Sequence, residues 1–218
     1  SCVKYCFQPL FSYALKDFLT NSSSPTRIKE FFSRLDSIDD EFIGQIGQRR
    51  EGTLPSFIKD IQSTHIVYKE VRYHHLLENL IRSAPDLKAI LMVRNPLEVM
   101  NSWVSAPKEF DPRWCIDDEL IDAERKNLGR IEEFYGLNKW IEATQLFERL
   151  QRSFGNRVRL VTYADLKRDP RGVVRELFQF CGLEVAPQTE SFIRNSQSTK
   201  VSGTYSVFRG GEEQAPMR

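Results

Sequence analysis

The chain has 218 residues, of which 40% are hydrophobic and 28% charged, the balance of a globular domain with enough material for a packed core. Its 31 Lys and Arg nearly cancel 30 Asp and Glu, for a net charge of +1. No global field therefore draws it to nucleic acid or to a membrane surface, any anion site must be local, and no stretch approaches the roughly 20 apolar residues that span a bilayer.

The opening SCVKYCFQPLF is too short for a secretion signal and lacks the basic-then-apolar layout. The chain starts on Ser and stops after EEQAPMR, so the expectation is a processed or trimmed segment of a longer protein. The cysteines at 2, 6, 115 and 181 form no disulfide framework and complete no zinc site. Most are expected to be small buried hydrophobes, with Cys2 and Cys6 as a redox or structural pair the alternative. Asn21-Ser22-Ser23 is a lone glycosylation sequon.

The first fifty residues read as helical and irregular. FSYALKDFLT places Phe11, Leu15 and Phe18 at helical spacing. NSSSP breaks it, and Pro25 with Thr26 opens a helix through TRIKEFFSRL. GQRREGTLP is a polar loop and SFIKDIQS a short helix.

Then the pattern changes. HIVYKEVR, rich in β-branched and aromatic residues, reads as a strand. YHHLLENLIRSAP is a helix with Leu76, Leu77, Leu80 and Ile81 on one face. LKAILMVR is a near-continuous apolar strand of the kind buried on both faces of a parallel sheet. NPLEVMNSWVSA is the next helix. Residues 117–154 carry two or so helices with a kink or join near Gly136 and charges on a solvated face. GNRVRLVTY is a third strand. Asp169 caps a helix with Pro170 at its first position; this helix buries Val173, Val174, Leu177, Phe178 and Cys181, and Gly182 closes it. APQTESFIRNS gives a last helix, and the tail from Gln197 is a loop or lid. Alternating strands and helices imply right-handed crossovers and an α/β fold, a parallel sheet flanked by helices. One domain over residues 1–218, incomplete at its N-terminus, is expected.

In such a sheet, ligands collect where strands end and helices begin. Arg94 stands at that point. Asn95 is placed to cap the following helix, Pro96 fits its first turn, and Glu98 gives a capping-box-like spacing. The helix N-terminus offers N–H groups and a positive partial charge, and a guanidinium beside it suits a phosphate. Leu97, Met100, Trp103 and Val104 form an apolar stripe; Asn95, Glu98, Ser102 and Ser105 form a polar one, from which Ser102 reaches toward the same anion. The plainer alternative is that Arg94 pairs with Glu98 and Ser102 is surface filler.

VRNPLEVMNSW resembles the 3′-phosphate-binding segment of sulfotransferases, where Arg-x-Pro is followed by Ser eight positions after the Arg; Arg94 and Ser102 match. VTYADLKRDPRGVVRELFQFCGLEV resembles the family's Tyr-Glu-Asp-Leu stretch and its helix, with Tyr163 at the position that contacts adenine in relatives. TYSVFRGG is similar to the C-terminal segment where an Arg reaches the nucleotide, which suggests Arg209. The ordered set covers roughly residues 60 to 210. The resemblance implies a P-loop-NTPase-like sulfotransferase fold. It also implies transfer of a sulfuryl group from 3′-phosphoadenylyl sulfate (PAPS) to a hydroxyl or amine of a carbohydrate or small-molecule acceptor. No metal is needed, because the donor carries its own electrophile.

On the acceptor side, Lys69 matches the Lys of a Lys-x-His found in many cytosolic relatives, but the His position reads Val71. Carbohydrate-type relatives often carry a Lys and an Arg here, as in Lys69 and Arg72. The base is then Glu70, His74 or His75, with a surface histidine at a helix start the alternative for each imidazole. Lys69 and Glu70 alternate on a strand, so only one of them faces a given side. A loop resembling Pro-x-Ser-Gly-Thr-Thr, which in the family wraps the 5′-phosphosulfate, is not found in the sequence. The expectation is therefore a sulfotransferase domain without its first βα unit. A nucleotide-binding pseudoenzyme and a P-loop-type kinase stand as alternatives. An anchor preceding Ser1 would place the domain in the Golgi lumen; without one it would be cytoplasmic.

Overall fold

A computed structural model describes residues 3–12, 19–59 and 62–198. Cys2, most of FSYALKDFLT and the tail bearing Arg209 lie outside them. The chain divides into two compact units between Lys88 and Ala89.

In the first unit, β1 (Val3–Phe7) runs parallel to a second strand, with Val3 opposite His65 and Phe7 opposite Lys69. The sequence reading gave this opening stretch no strand. Val3, Tyr5 and Phe7 alternate with Lys4 and Cys6, but over five residues with one charged side chain the alternation is too short to stand out. A parallel pair needs a crossover, and it contains α1 (Pro25–Ser37), α2 (Glu41–Gly44) and α3 (Ile46–Arg50). Ser24 caps α1 by accepting the Arg27 N–H at 3.3 Å, with Pro25 in the first turn. Ile28, Phe31 and Leu35, three and four apart, are fully buried against Cys6, Leu10, Ile43, Leu76 and Leu80.

Two expectations are corrected here. Part of the polar loop is α3, joined to α2 through Gln45 in the left-handed region at φ 51°. Ser56–Lys59, expected to be helical, is irregular. Ile58 is 90% exposed, so its side chain adds little burial to offset the cost of helix nucleation. The second strand, β2 (His65–Lys69), stops before Glu70. The following helix begins as a 3₁₀ turn, His74–Leu76, and continues as α4 (Leu77–Ser83), burying Leu76, Leu80 and Ile81.

In the second unit, β3 (Ala89–Val93) is parallel to a strand opened by Val158, with Val93 opposite Thr162. The expectation of burial on both faces is corrected. Ala89 and Leu91 are buried, but Ile90 and Met92 are 41% and 49% exposed, so the strand buries one face and leaves the other largely open. After β3 come α5 (Pro96–Val104), the single turns α6 (Ile116–Glu119) and α7 (Glu124–Asn127), and the long α8 (Leu137–Ser153). The expected join at Gly136 is real: its φ is 88°, and a Cβ there would lie 2.8 Å from the Ile121 carbonyl oxygen. The charges before it are not all solvated. Glu119 and Glu133 are buried, and Glu119 accepts the Arg125 N–H at 3.2 Å.

β4 (Val158–Thr162) leads into α9 (Tyr163–Arg168), α10 (Pro170–Cys181) and α11 (Pro187–Ser198). Asp169 caps α10 as expected, accepting the Gly172 N–H at 2.8 Å, and Gly182 ends it at φ 76°. The apolar residues of α10 are half-buried rather than buried; the helix packs mainly against its neighbours α9 and α11, and Arg159 of β4 lies over its Phe180 ring at 5.4 Å. Asp169→Ala is expected to lower stability by about 1 kcal/mol in urea unfolding. An unchanged midpoint would show that the cap is dispensable. Both strand pairs are parallel and both units carry helices, so the α/β class holds. Among the described residues, no helix is long and apolar enough to cross a membrane.

Candidate functional site

The corner after β3 is built from local chemistry outward. Asn95 Oδ1 accepts the N–H groups of Leu97 at 2.9 Å and Glu98 at 3.4 Å, and Pro96 has none to give. The first free amides of α5 are therefore already taken. This corrects the expectation that they wait for an anion: the helix contributes its dipole, and hydrogen bonds to a ligand must come from side chains. Met100 and Trp103 anchor the apolar side of α5 beside Phe110 and Ala123, with Val104 packed against them. Leu97 departs from the expected stripe and is 77% exposed.

Arg94 is half-buried and held from three sides. Its Nε donates to Glu98 Oε2 at 2.7 Å, its guanidinium carbon lies 5.1 Å from the centre of the Tyr163 ring, and its carbonyl accepts the Trp140 indole N–H at 3.0 Å. The ion pair with Glu98 is thus formed. The hydrogen bond and charge of Arg94 hold the Glu98 carboxyl below its ordinary range, with Lys167 adding to the effect. Tyr163 opens α9 because Thr162 caps it, accepting the Asp165 N–H at 3.0 Å. A second cation, Lys167, stands 5.8 Å from the centre of the Tyr163 ring. Ser102 lies half-buried two turns along α5.

The second unit therefore brings Arg94 and Tyr163 together from positions 69 apart in sequence. Arg209 lies outside the described residues. Trp140 was missed by the sequence reading. The signal was a tryptophan inside an amphipathic helix, since a packed indole N–H needs an acceptor.

The acceptor-side candidates belong to the first unit. Glu70 follows β2, and its Oε1 accepts the Leu10 N–H at 2.8 Å. Its Oε2 is buried with no hydrogen-bond partner. Burial pushes its pKa up to about 8, against the lowering pull of the Leu10 N–H and the Arg72 charge. Lys69 is exposed, its Nζ 5.9 Å from the centre of the Phe7 ring, whereas Glu70, beyond the strand end, turns one oxygen inward. Arg72 lies over the Phe11 ring at 4.4 Å. His74 and His75 are half-buried in the 3₁₀ turn. Among the described residues, no group of three or more His, Cys, Asp or Glu is placed to hold a metal.

Comparison with known proteins gives a match between residues 47–210 and the family described as sulfotransferase domain. Carbohydrate sulfotransferase 5 of Mus musculus is 32% identical over 152 residues, covering 61% of this chain and 35% of that protein. Carbohydrate sulfotransferase 3 of Mus musculus is 31% identical over 160 residues, covering 69% of this chain and 33% of the relative. The chain spans about a third of the length of these curated relatives. A crystal structure of mouse sulfotransferase SULT7A1 complexed with PAP aligns with a TM-score of 0.47 at 16% identity, over 93% of this chain and 66% of that one. The family match runs through β2, β3, the Arg94 corner and α9, and on that match the chain belongs to the sulfotransferase domain family.

Proposed function

We propose that this chain serves transfer of a sulfuryl group from PAPS to a hydroxyl or amine of a carbohydrate acceptor. One observation carries the reading: Arg94, at the carboxyl end of a parallel strand, is fixed against Tyr163 within the family-matched region. The carbohydrate class is supported by relatives named as carbohydrate sulfotransferases. Residues 1–218 would form a single domain.

In the second unit, Arg94 and Ser102 would hold the 3′-phosphate and Tyr163 the adenine side, with Arg209 as a further nucleotide ligand. In the first unit, Glu70 would take the acceptor proton. A carboxyl with a pKa of about 8 is a stronger base than an ordinary one, near the optimum for proton transfer at neutral pH. Lys69 would oppose the developing negative charge, and His74 is the other candidate base. The acceptor oxygen bonds to sulfur as the sulfur–phosphate-oxygen bond breaks, and PAP leaves with the electron pair. Catalysis of this kind is positioning plus charge stabilisation. A membrane anchor outside this chain would set the enzyme in the Golgi lumen.

The test is transfer of ³⁵S from labelled PAPS to a panel of oligosaccharides, with PAP binding measured by calorimetry in parallel. Labelled oligosaccharide and PAP binding are expected. PAP binding without transfer would mark a pseudoenzyme, and absence of PAP binding at millimolar concentration would remove the assignment.

A further inference from the structure

The saturated N-terminus of α5 shifts the weight of anion binding onto one side chain, and the way that side chain is held matters. Glu98 takes the Nε of Arg94 at 2.7 Å. Among the described residues no acceptor takes the Nη atoms, so the outer edge of the fork, the edge that pairs bidentately with phosphate, stays available. The ring of Tyr163 lies against the guanidinium, and Trp140 fixes the backbone it springs from. A carboxylate so near an anion site also repels the anion. Arg94 and Glu98 are 36% and 50% exposed, however, so solvent and salt screen that repulsion. An unpinned arginine would lose more side-chain freedom on binding than one already oriented.

We propose that Glu98 is a positioning residue for the phosphate site: it holds the Nε of Arg94 so that the Nη edge is presented to the 3′-phosphate of the nucleotide. This rests on the nucleotide-site reading above. It assigns Glu98 a role separate from its place in the first turn of α5, where it donates its backbone N–H to Asn95. The carboxylate is not needed for its charge. A glutamine at 98 keeps an oxygen to accept from Nε and removes the repulsion, whereas an alanine removes both.

The test is calorimetry on the 218-residue chain with two probes, PAP and adenosine 5′-phosphate, which lacks the 3′-phosphate. Glu98→Ala is expected to weaken PAP binding by about five- to tenfold while leaving adenosine 5′-phosphate within about twofold, the scale on which preorganising one side chain acts. Glu98→Gln is expected to bind PAP at least as tightly as the unsubstituted chain. Equal weakening of both probes in Glu98→Ala would reduce Glu98 to a helix-stabilising residue. Unchanged or tighter PAP binding in Glu98→Ala would make it a competitor of the phosphate; either result overturns the proposal. Arg94→Ala is run alongside. If it too leaves PAP binding unchanged, the nucleotide site itself is misplaced, a failure distinct from that of Glu98 alone.

Discussion

Arg94→Ala is expected to weaken PAP binding about a hundredfold, equivalent to ~2.7 kcal/mol. A hydrogen bond to a charged group contributes about 1.5–3 kcal/mol, and a guanidinium facing a phosphate makes two in parallel. The α5 amides cannot substitute, because Asn95 already occupies those of Leu97 and Glu98. Arg94→Lys is expected to recover only part of the loss: one ammonium cannot present a fork to the phosphate while bonding Glu98 through a separate nitrogen. Isothermal titration of PAP into the three proteins measures this directly. A dissociation constant within twofold of the unsubstituted value in Arg94→Ala would sink the assignment. Ser102→Ala should cost less, on the scale of a neutral hydrogen bond of about 1 kcal/mol.

Glu70 should make the first unit lose stability as the pH rises. Its folded pKa, raised to about 8 from 4.5, means that the folded state keeps a proton the unfolded state has given up. The contribution is complete below pH 4.5 and is lost progressively up to and through pH 8. The full shift would correspond to about 5 kcal/mol at 1.36 kcal/mol per unit. Partial solvent access reduces this to about 3 kcal/mol. Glu70→Gln keeps an oxygen for the Leu10 N–H and cannot ionise. It should therefore melt higher than the unsubstituted chain at pH 8, with the two converging toward pH 4.5. Thermal melts across pH 4.5–9 decide it: a flat profile for the unsubstituted chain would mean that Glu70 ionises freely. If Glu70 is also the base, the same variant should transfer sulfuryl groups about 10²- to 10⁴-fold more slowly while being the more stable protein at pH 8. That combination separates loss of chemistry from loss of fold.

Local rules decided what was legible in the sequence. The cap of α5 by Asn95 and Pro96, the cap of α10 by Asp169 and the close of α10 at Gly182 each depend on groups within a few residues. The apolar spacing in α1 and in the run from Leu76 to Ile81 likewise fixed which faces turn inward. The same logic failed where burial depends on distant chain. VKYCF is a strand because His65–Lys69 offers it a partner some sixty residues on. SFIKDIQS is a fair helix on paper, but Ile58 stays 90% exposed. Glu119 is inside because Arg125 bonds it there.

The phosphate corner divides in the same way. Residues 94–102 determined by themselves a strand end, a capped helix, and a cation with a carboxylate one turn beyond it, because backbone geometry and side-chain reach over four residues are short-range. Tertiary structure alone decided that Tyr163 lies against the guanidinium, that Trp140 ties down its carbonyl, and that Glu70 sits with one oxygen on the Leu10 N–H and the other buried. Those contacts join residues 46 to 69 positions apart, and burial of that kind depends on how the rest of the chain packs, which no local spacing encodes.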